Sequence, residues 1–252
     1  MKAYLLSSTP EPDSLVAAAA RICYSDTTAS GLLERESAAL SVRLLKELRL
    51  SGHFSPFEHV SFTFGIDGLS RVTSHQLVRH RIASFSQQSQ RYVKISGAGE
   101  DGNGVITPPS VAASPEALAL FEQQAESACE TYKKLVSMGI PAEDARFILP
   151  HGWETHLVLT MNARTLFHFF NLRLCRRAQW EIRELARLML IECRNAAPVI
   201  FETAGPFCLT EGCRESRPCG KPYASMEELL AENDDFKPSP SSRRKNNQER
   251  TS

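Results

Sequence analysis

The chain has 252 residues (28.0 kDa), with 29 Lys and Arg against 29 Asp and Glu. It is long enough for one full core, or at most two, and the balanced charge argues against a surface built throughout for nucleic acid. No apolar run approaches the roughly 20 residues that cross a bilayer, and the opening MKAYLLSSTPEPD lacks a signal-peptide core and cleavage site, so a cytoplasmic protein with no membrane partner is expected.

Taken in order, Ala3 to Ser7 reads as a short strand, and Asp13 or Ser14 caps an Ala-rich helix over Leu15 to Tyr24. Leu40, Val42, Leu44, Leu45 and Leu48 recur among charges, giving an amphipathic helix over Leu32 to Leu50 that Gly52 terminates. His53, Glu58 and His59 invite a metal reading, but their spacing matches no common ligand pattern and no metal site is assigned. Ser55 and Pro56 instead form a turn feeding a strand over Glu58 to Asp67, in which Val60, Phe62 and Phe64 alternate with small or polar residues.

Ser70 caps a helix reaching about His80, which would place Gln76, Arg79 and His80 on one face. The stretch that follows, within QLVRHRIASFSQQSQRY (Gln76 to Tyr92), concentrates Arg, Ser and amide side chains without a clean period, and reads as a loop folded over a ligand. No Asp or Glu occurs from Gly68 to Gly99, so Arg71, Arg79, Arg81, Arg91 and Lys94 have no carboxylate nearby in sequence. Guanidinium forks match phosphate and carboxylate oxygens, so an anionic ligand is the natural counterweight.

Arg91 to Ser96 reads as a returning strand. Gly97, Gly99 and Gly102 satisfy G-x-G-x-x-G, but Glu100 and Asp101 would repel a pyrophosphate and Pro108 follows too soon for a helix, so this is a flexible loop. Ser114 and Pro115 begin a long helix to about Val136, and Pro141 to Leu149 is a short helix carrying Arg146. Thr155 to Met161 reads as a strand with Leu157 and Leu159 on one face and Val158 and Met161 on the other.

A helix over Ala163 to Leu172 then carries a polar stripe, Arg164, His168 and Asn171, on an otherwise apolar segment, with Asn162 and Arg173 at its ends. Between Arg146 and Gln179 the only carboxylate is Glu154, so this region repeats the charge imbalance of the first, and the two are expected to converge on one ligand site. Gln179 to Ala196 forms a last long helix with Trp180, Leu185, Leu188, Met189 and Cys193 inward. Cys23, Cys129, Cys175 and Cys193 sit within apolar or helical patterns and read as reduced thiols acting as small core residues; Cys208, Cys213 and Cys219 are too widely spaced for zinc and lack a fourth ligand. Residues 1–223 are expected to form one domain and residues 224–252 a polar, disordered tail.

Arg79-His80-Arg81, seven residues, then Ser89 with Arg91 and Tyr92 beyond, resembles the signature of flavin-dependent thymidylate synthases. The likeness continues through His53 to His59, ARFILP at Ala145 to Pro150, MNARTLFHFFNLR, and AQWEIR at Ala178 to Arg183, covering about residues 1 to 207. It implies an α/β (α+β) fold, a central and mostly antiparallel sheet flanked by long helices, assembled as a homotetramer with FAD at subunit contacts. The implied reaction is reductive methylation of dUMP to dTMP, with methylenetetrahydrofolate as one-carbon donor and NADPH as reductant. By matching positions, Ser55, Arg79, His80, Arg81, Gln87, Asn162, Arg164 and His168 are implied as flavin contacts. Gln76, Arg79, Gln87, Gln88, Ser89, Gln90, Arg91, Arg146 and Arg173 are implied as dUMP contacts. Where many relatives have Asn and Glu, this chain has Ser86 and Gln87, and Gln keeps one carbonyl acceptor.

Arg173 stays protonated, so its expected role is to stabilise negative charge developing on the uracil ring. Ser89 has no base partner in sequence and is expected to hold dUMP through its hydroxyl or backbone N–H. Two rival readings share these residues: a flavin enzyme acting on another nucleobase, and a nucleic-acid module using the Arg79 to Arg91 cluster. The second lacks interleaved surface aromatics beyond Phe85 and Tyr92.

Overall fold

The computed structural model describes residues 1–35, 38–93 and 104–232. Four strands, β1 (Lys2–Ser8), β2 (Ser61–Ser70), β3 (Ala83–Gln87) and β4 (Glu154–Asn162), form one antiparallel sheet in the order β1-β2-β4-β3. The helices are α1 (Pro12–Arg21), α2 (Ala29–Arg35), α3 (Ala38–Leu50), α4 (Arg71–Leu77), α5 (Pro109–Ala112), α6 (Pro115–Ser137), α7 (Ala142–Ala145), α8 (Ala163–Arg173), α9 (Trp180–Ala196), α10 (Phe207–Thr210) and α11 (Met226–Ala231). None is long and apolar enough to cross a membrane.

Register explains the layering. Phe62, Phe64 and Ile66 of β2 stand opposite Met161, Leu159 and Leu157 of β4, and all six are buried on the face covered by helices. Met161 therefore shares the face of Leu157 and Leu159, contrary to the sequence expectation, because side chains alternate with a period of two. Val158, Tyr4 and Leu6 are exposed. Gly65 is required beneath Tyr4: a Cβ there would lie 2.6 Å from the tyrosine ring.

Over the covered face, α8 follows β4 directly while α9 packs on β1 and β2. Phe57, Phe62, Phe167, Phe170 and Phe201 meet edge-on or tilted at 5.2 to 6.0 Å between centroids, the geometry aromatic quadrupoles favour. Trp180 and Leu188, expected inward, are only half-buried, whereas Glu181, Arg183 and Glu184 on the same helix are buried. A smaller cluster of Cys129, Tyr132, Ala145, Leu149 and Trp153 joins α6 to the α7 region.

Several boundaries differ from those read in sequence. α1 begins at Pro12 because Glu11 occupies the cap position, leaving the Asp13 carboxylate to accept the backbone N–H groups of Val199 and Ile200. The expected Leu32 to Leu50 helix corresponds to α2 and α3. The expected strand at Glu58 starts later, since Ser55–His59 is a 3-10 turn, and it runs on to Ser70 through an irregularity after Ile66 at Gly68 (φ +74°). Pro141 to Leu149 divides into α7 and a 3-10 turn, Arg146–Ile148. Arg91 to Val93 is a turn rather than the start of a strand; residues 94–96 and the glycine loop at 97–102 lie outside the described residues. Within the stretch assigned to a polar tail, α11 buries Leu229 and receives the Arg187 guanidinium on the Leu230 carbonyl (2.9 Å). Packed structure thus extends past residue 223.

Ser70 caps α4, its hydroxyl accepting from the Thr73 N–H at 3.1 Å. Glu181 of α9, 2 % exposed, holds that cap: it accepts from the Ser70 N–H (2.6 Å), the Ser70 hydroxyl (2.5 Å) and the Thr73 hydroxyl (2.6 Å). Replacing Glu181 by Leu leaves the buried Ser70 N–H and hydroxyl without their acceptor and the Thr73 hydroxyl with only the longer bond to Gln179 Oε1 (3.3 Å), and should cost about 2–4 kcal/mol. The expected result is a lowered urea midpoint, with Glu181→Gln, which keeps one acceptor, losing less.

Candidate active site

α4 stops at Leu77, not at His80, so Gln76, Arg79 and His80 do not share one helical face. The chain instead turns, with the His80 N–H on the Leu77 carbonyl (3.0 Å), and enters β3, which pairs with β4 where sequence suggested a loop. At the turn Ile82 takes a left-handed conformation (φ +67°) that costs a β-branched residue about 1–3 kcal/mol. The Thr165 hydroxyl of α8 donates to the Ile82 carbonyl (3.4 Å).

This turn drives the His80 ring, 5 % exposed, edge-on against Phe169 of α8 (4.9 Å) and 6.0 Å from the His168 ring. Arg173, one helical turn beyond Phe169, donates from Nε to His80 Nε2 at 2.8 Å. The two acid-poor regions therefore meet within one chain. Because Nε2 accepts, the imidazole is neutral with its proton on Nδ1, and Nδ1 is buried with no hydrogen-bond partner among the described residues. Burial, then the charges of Arg173 and His168, push the His80 pKa down to about 4. Burial also lowers Arg173 from its ordinary value, yet a guanidinium remains a cation at neutral pH.

A second cationic group forms at the other end of β3. The Arg71 guanidinium donates to the Gln88 carbonyl (2.9 Å), and burial together with the positive charge of Arg146 lowers its pKa. Arg71 Nε and Gln90 Nε2 are buried without a partner among the described residues. The Ser89 hydroxyl accepts from the Arg91 N–H at 3.2 Å. Arg91 is not free of carboxylates in space: its Nε lies 3.0 Å from Glu143, whose backbone carbonyl also accepts from Arg146 (3.1 Å). Likewise Arg164 pairs with Glu58, which draws the Ser55–His59 turn against α8. The acid-free run in sequence thus did not mean an acid-free surface.

The remaining expected residues divide between structural and open positions. Asn162 caps α8, its Oδ1 accepting from the Thr165 N–H (2.8 Å). The Gln87 amide donates to the Ser74 and Thr155 hydroxyls (3.2 and 3.1 Å), so a carboxylate would be replaced here by a group able to donate. Ser55, Arg79, Arg81, Arg164, His168 and Gln88 are exposed, and Gln76 is half-buried. Five residues of β3 separate the two cationic groups, roughly 17 Å at strand rise. The expected dUMP contacts are consequently split, Arg173 at one end and Gln88 to Arg91 with Arg146 at the other. Two contributors were missed in sequence. Arg71 gave only the signal of an unpaired cation before the motif, and Glu181 gave none beyond a capping helix turn.

Residues 4–199 match the family model described as thymidylate synthase complementing protein. A flavin-dependent thymidylate synthase from Geobacter sulfurreducens is 50% identical over 233 residues, spanning 92% of this chain and 99% of the relative. One from Clostridium tetani is 42% identical over 91% of this chain and 96% of its own. Among solved structures, a UMP/dUMP methylase, PolB from Streptomyces cacaoi bound with 5-Br dUMP, superposes with a TM-score of 0.69 at 29% identity, covering 80% of this chain and 93% of that one.

A His held neutral makes stability depend on pH with a definite sign. Between about pH 6.5 and about pH 4 the unfolded chain takes up a proton that folded His80 refuses, so stability falls as pH falls through that window. His80→Phe preserves a ring against Phe169 and should remove this part of the slope. Thermal melts of both chains across the window check it; superimposable slopes would contradict the assignment.

Proposed function

The chain belongs to the thymidylate synthase complementing protein family, the flavin-dependent thymidylate synthases, and from that premise we propose that it reductively methylates dUMP to dTMP with FAD as cofactor, methylenetetrahydrofolate as one-carbon donor and NADPH as reductant. The observation that carries the detailed reading is the contact between Arg173 and neutral His80. A carboxylate in place of that imidazole would cancel the guanidinium charge. The imidazole fixes Nε while leaving the charge, and the terminal nitrogens, for a ligand.

The residues present suit both ligands. FAD supplies hydride-transfer chemistry when bound. Near His80, the buried unpaired Nδ1–H, the exposed Arg79 and Arg81, and His168 and Arg164 on α8 offer donors for its ring system and pyrophosphate. Ser55 lies on the turn that Glu58 ties to Arg164. At the other end of β3, Arg71, Arg91 and Arg146 with the unpaired Gln90 amide form a receptor for the dUMP phosphate, and Ser89 holds the turn through its hydroxyl. Arg173 stabilises negative charge on the pyrimidine and so favours attack from its C5.

The two receptors stand at opposite ends of β3, roughly 17 Å apart at strand rise, a separation that suits a site shared between neighbouring chains. This supports the homotetramer, in which neighbouring chains complete each site. Large apolar side chains are exposed on the same segments: Ile82 (79 %), Tyr92 (79 %) and Phe147 (84 %). Burying such groups is what drives subunit association.

Arg173→Ala should retain flavin, read from visible absorbance per chain, while dTMP formation falls by about 100-fold or more. Equal loss of both would refute the role given to Arg173. Colourless protein from the unaltered chain, even after incubation with FAD, would refute the cofactor reading itself.

A further inference from the structure

Four of the seven cysteines face one cavity away from the His80 and Arg173 contact. Cys175, Cys208, Cys213 and Cys219 line a space of about 160 Å³ between the end of α8 and the loops around α10. In sequence, the last three lacked a fourth partner. The fold supplies it, because Cys175 follows α8 directly and the 207–223 segment folds back over it.

Two of the sulfurs already accept a backbone N–H within a tight turn, which fixes where they sit at the cavity wall. The Lys221 N–H donates to Cys219 Sγ at 3.4 Å, and the Arg177 N–H donates to the Cys175 sulfur, each from two residues further along. Gly220, at φ +72°, lets the chain reverse after Cys219 so that the N–H reaches back; a side chain there would be strained. Arg176, Arg214, Glu215 and Lys221 also line the cavity, and the first three already have ion-pair partners in Glu228, Glu211 and Arg177.

We propose that this cavity is a structural site for one thiophilic divalent metal ion of the zinc class, with Cys175, Cys208, Cys213 and Cys219 as ligands. The described His, Cys, Asp and Glu side chains form no ready group of three around one point, so binding draws the Cys208 to Cys219 segment inward. That segment is mostly irregular, with left-handed glycines at 212 and 220. On binding, four thiols release four protons to solvent and no electrons move. The ion would tie the end of α8, two residues past Arg173, to the chain leading to α11.

The test is metal analysis of the full chain purified without added chelator, whatever its flavin content. About one zinc-class ion per chain is expected, falling at least tenfold in Cys175→Ser and in Cys213→Ser but not in Cys23→Ser, whose cysteine is exposed and outside the cavity. As a measurement that needs no variant, the ion is removed and Co²⁺ added back to the unaltered chain; thiolate-to-cobalt charge-transfer absorption saturating at one equivalent supports the site. Metal-free protein that gives no such absorption overturns the proposal. So does metal retained in Cys175→Ser, or thiols that titrate only after reduction, which would indicate a disulfide instead.

Discussion

The site depends on a guanidinium resting against an uncharged ring. Arg173 donates to His80 Nε2 at 2.8 Å, and the same burial that forbids the imidazole a proton leaves the arginine's charge uncompensated. Had the partner been Asp or Glu, the pair would have been a neutral ion pair with little left for an anionic ligand. Both partners are set by secondary structure: Arg173 ends α8, which Asn162 caps, and His80 ends the turn after α4, whose cap is held by Glu181. A chain of caps and short hydrogen bonds therefore fixes two side chains that are 93 residues apart.

Much of this was legible in sequence. The alternation in Phe62 and Phe64, the Ser114-Pro115 start of α6 and the polar ends of α8 gave correct elements, because local period and capping chemistry decide them. The convergence of the two arginine-rich segments was also readable from what they lack. The pairing of Arg91 with Glu143 and of Arg164 with Glu58 was not, since those carboxylates come from distant segments that only the tertiary fold brings near. β3 was mistaken for a loop for a related reason. Ala83-Ser84-Phe85-Ser86-Gln87 carries two serines on its exposed face, and its place in the sheet comes from pairing with β4 rather than from its own propensity.

Glu181 illustrates the other limit. Glutamate at the start of a helix usually reads as a solvent-facing residue favoured by the helix dipole. Here it is buried because three donors from Ser70 and Thr73 meet it, a fact about packing between α4 and α9. Gln87 shows the same dependence: its amide serves Ser74 and Thr155, so its chemistry is partly spent on holding α4 against the sheet.

Ile82 carries one more implication. A branched, apolar residue in a left-handed turn, projecting into solvent, is uncomfortable in two independent ways in an isolated chain. In the assembly proposed above, covering it by a neighbouring copy would relieve the second discomfort and help enforce the first, linking association thermodynamically to the shape of the turn that presents His80. A subunit standing alone would then carry every one of these residues yet lack part of the free energy that keeps them in register.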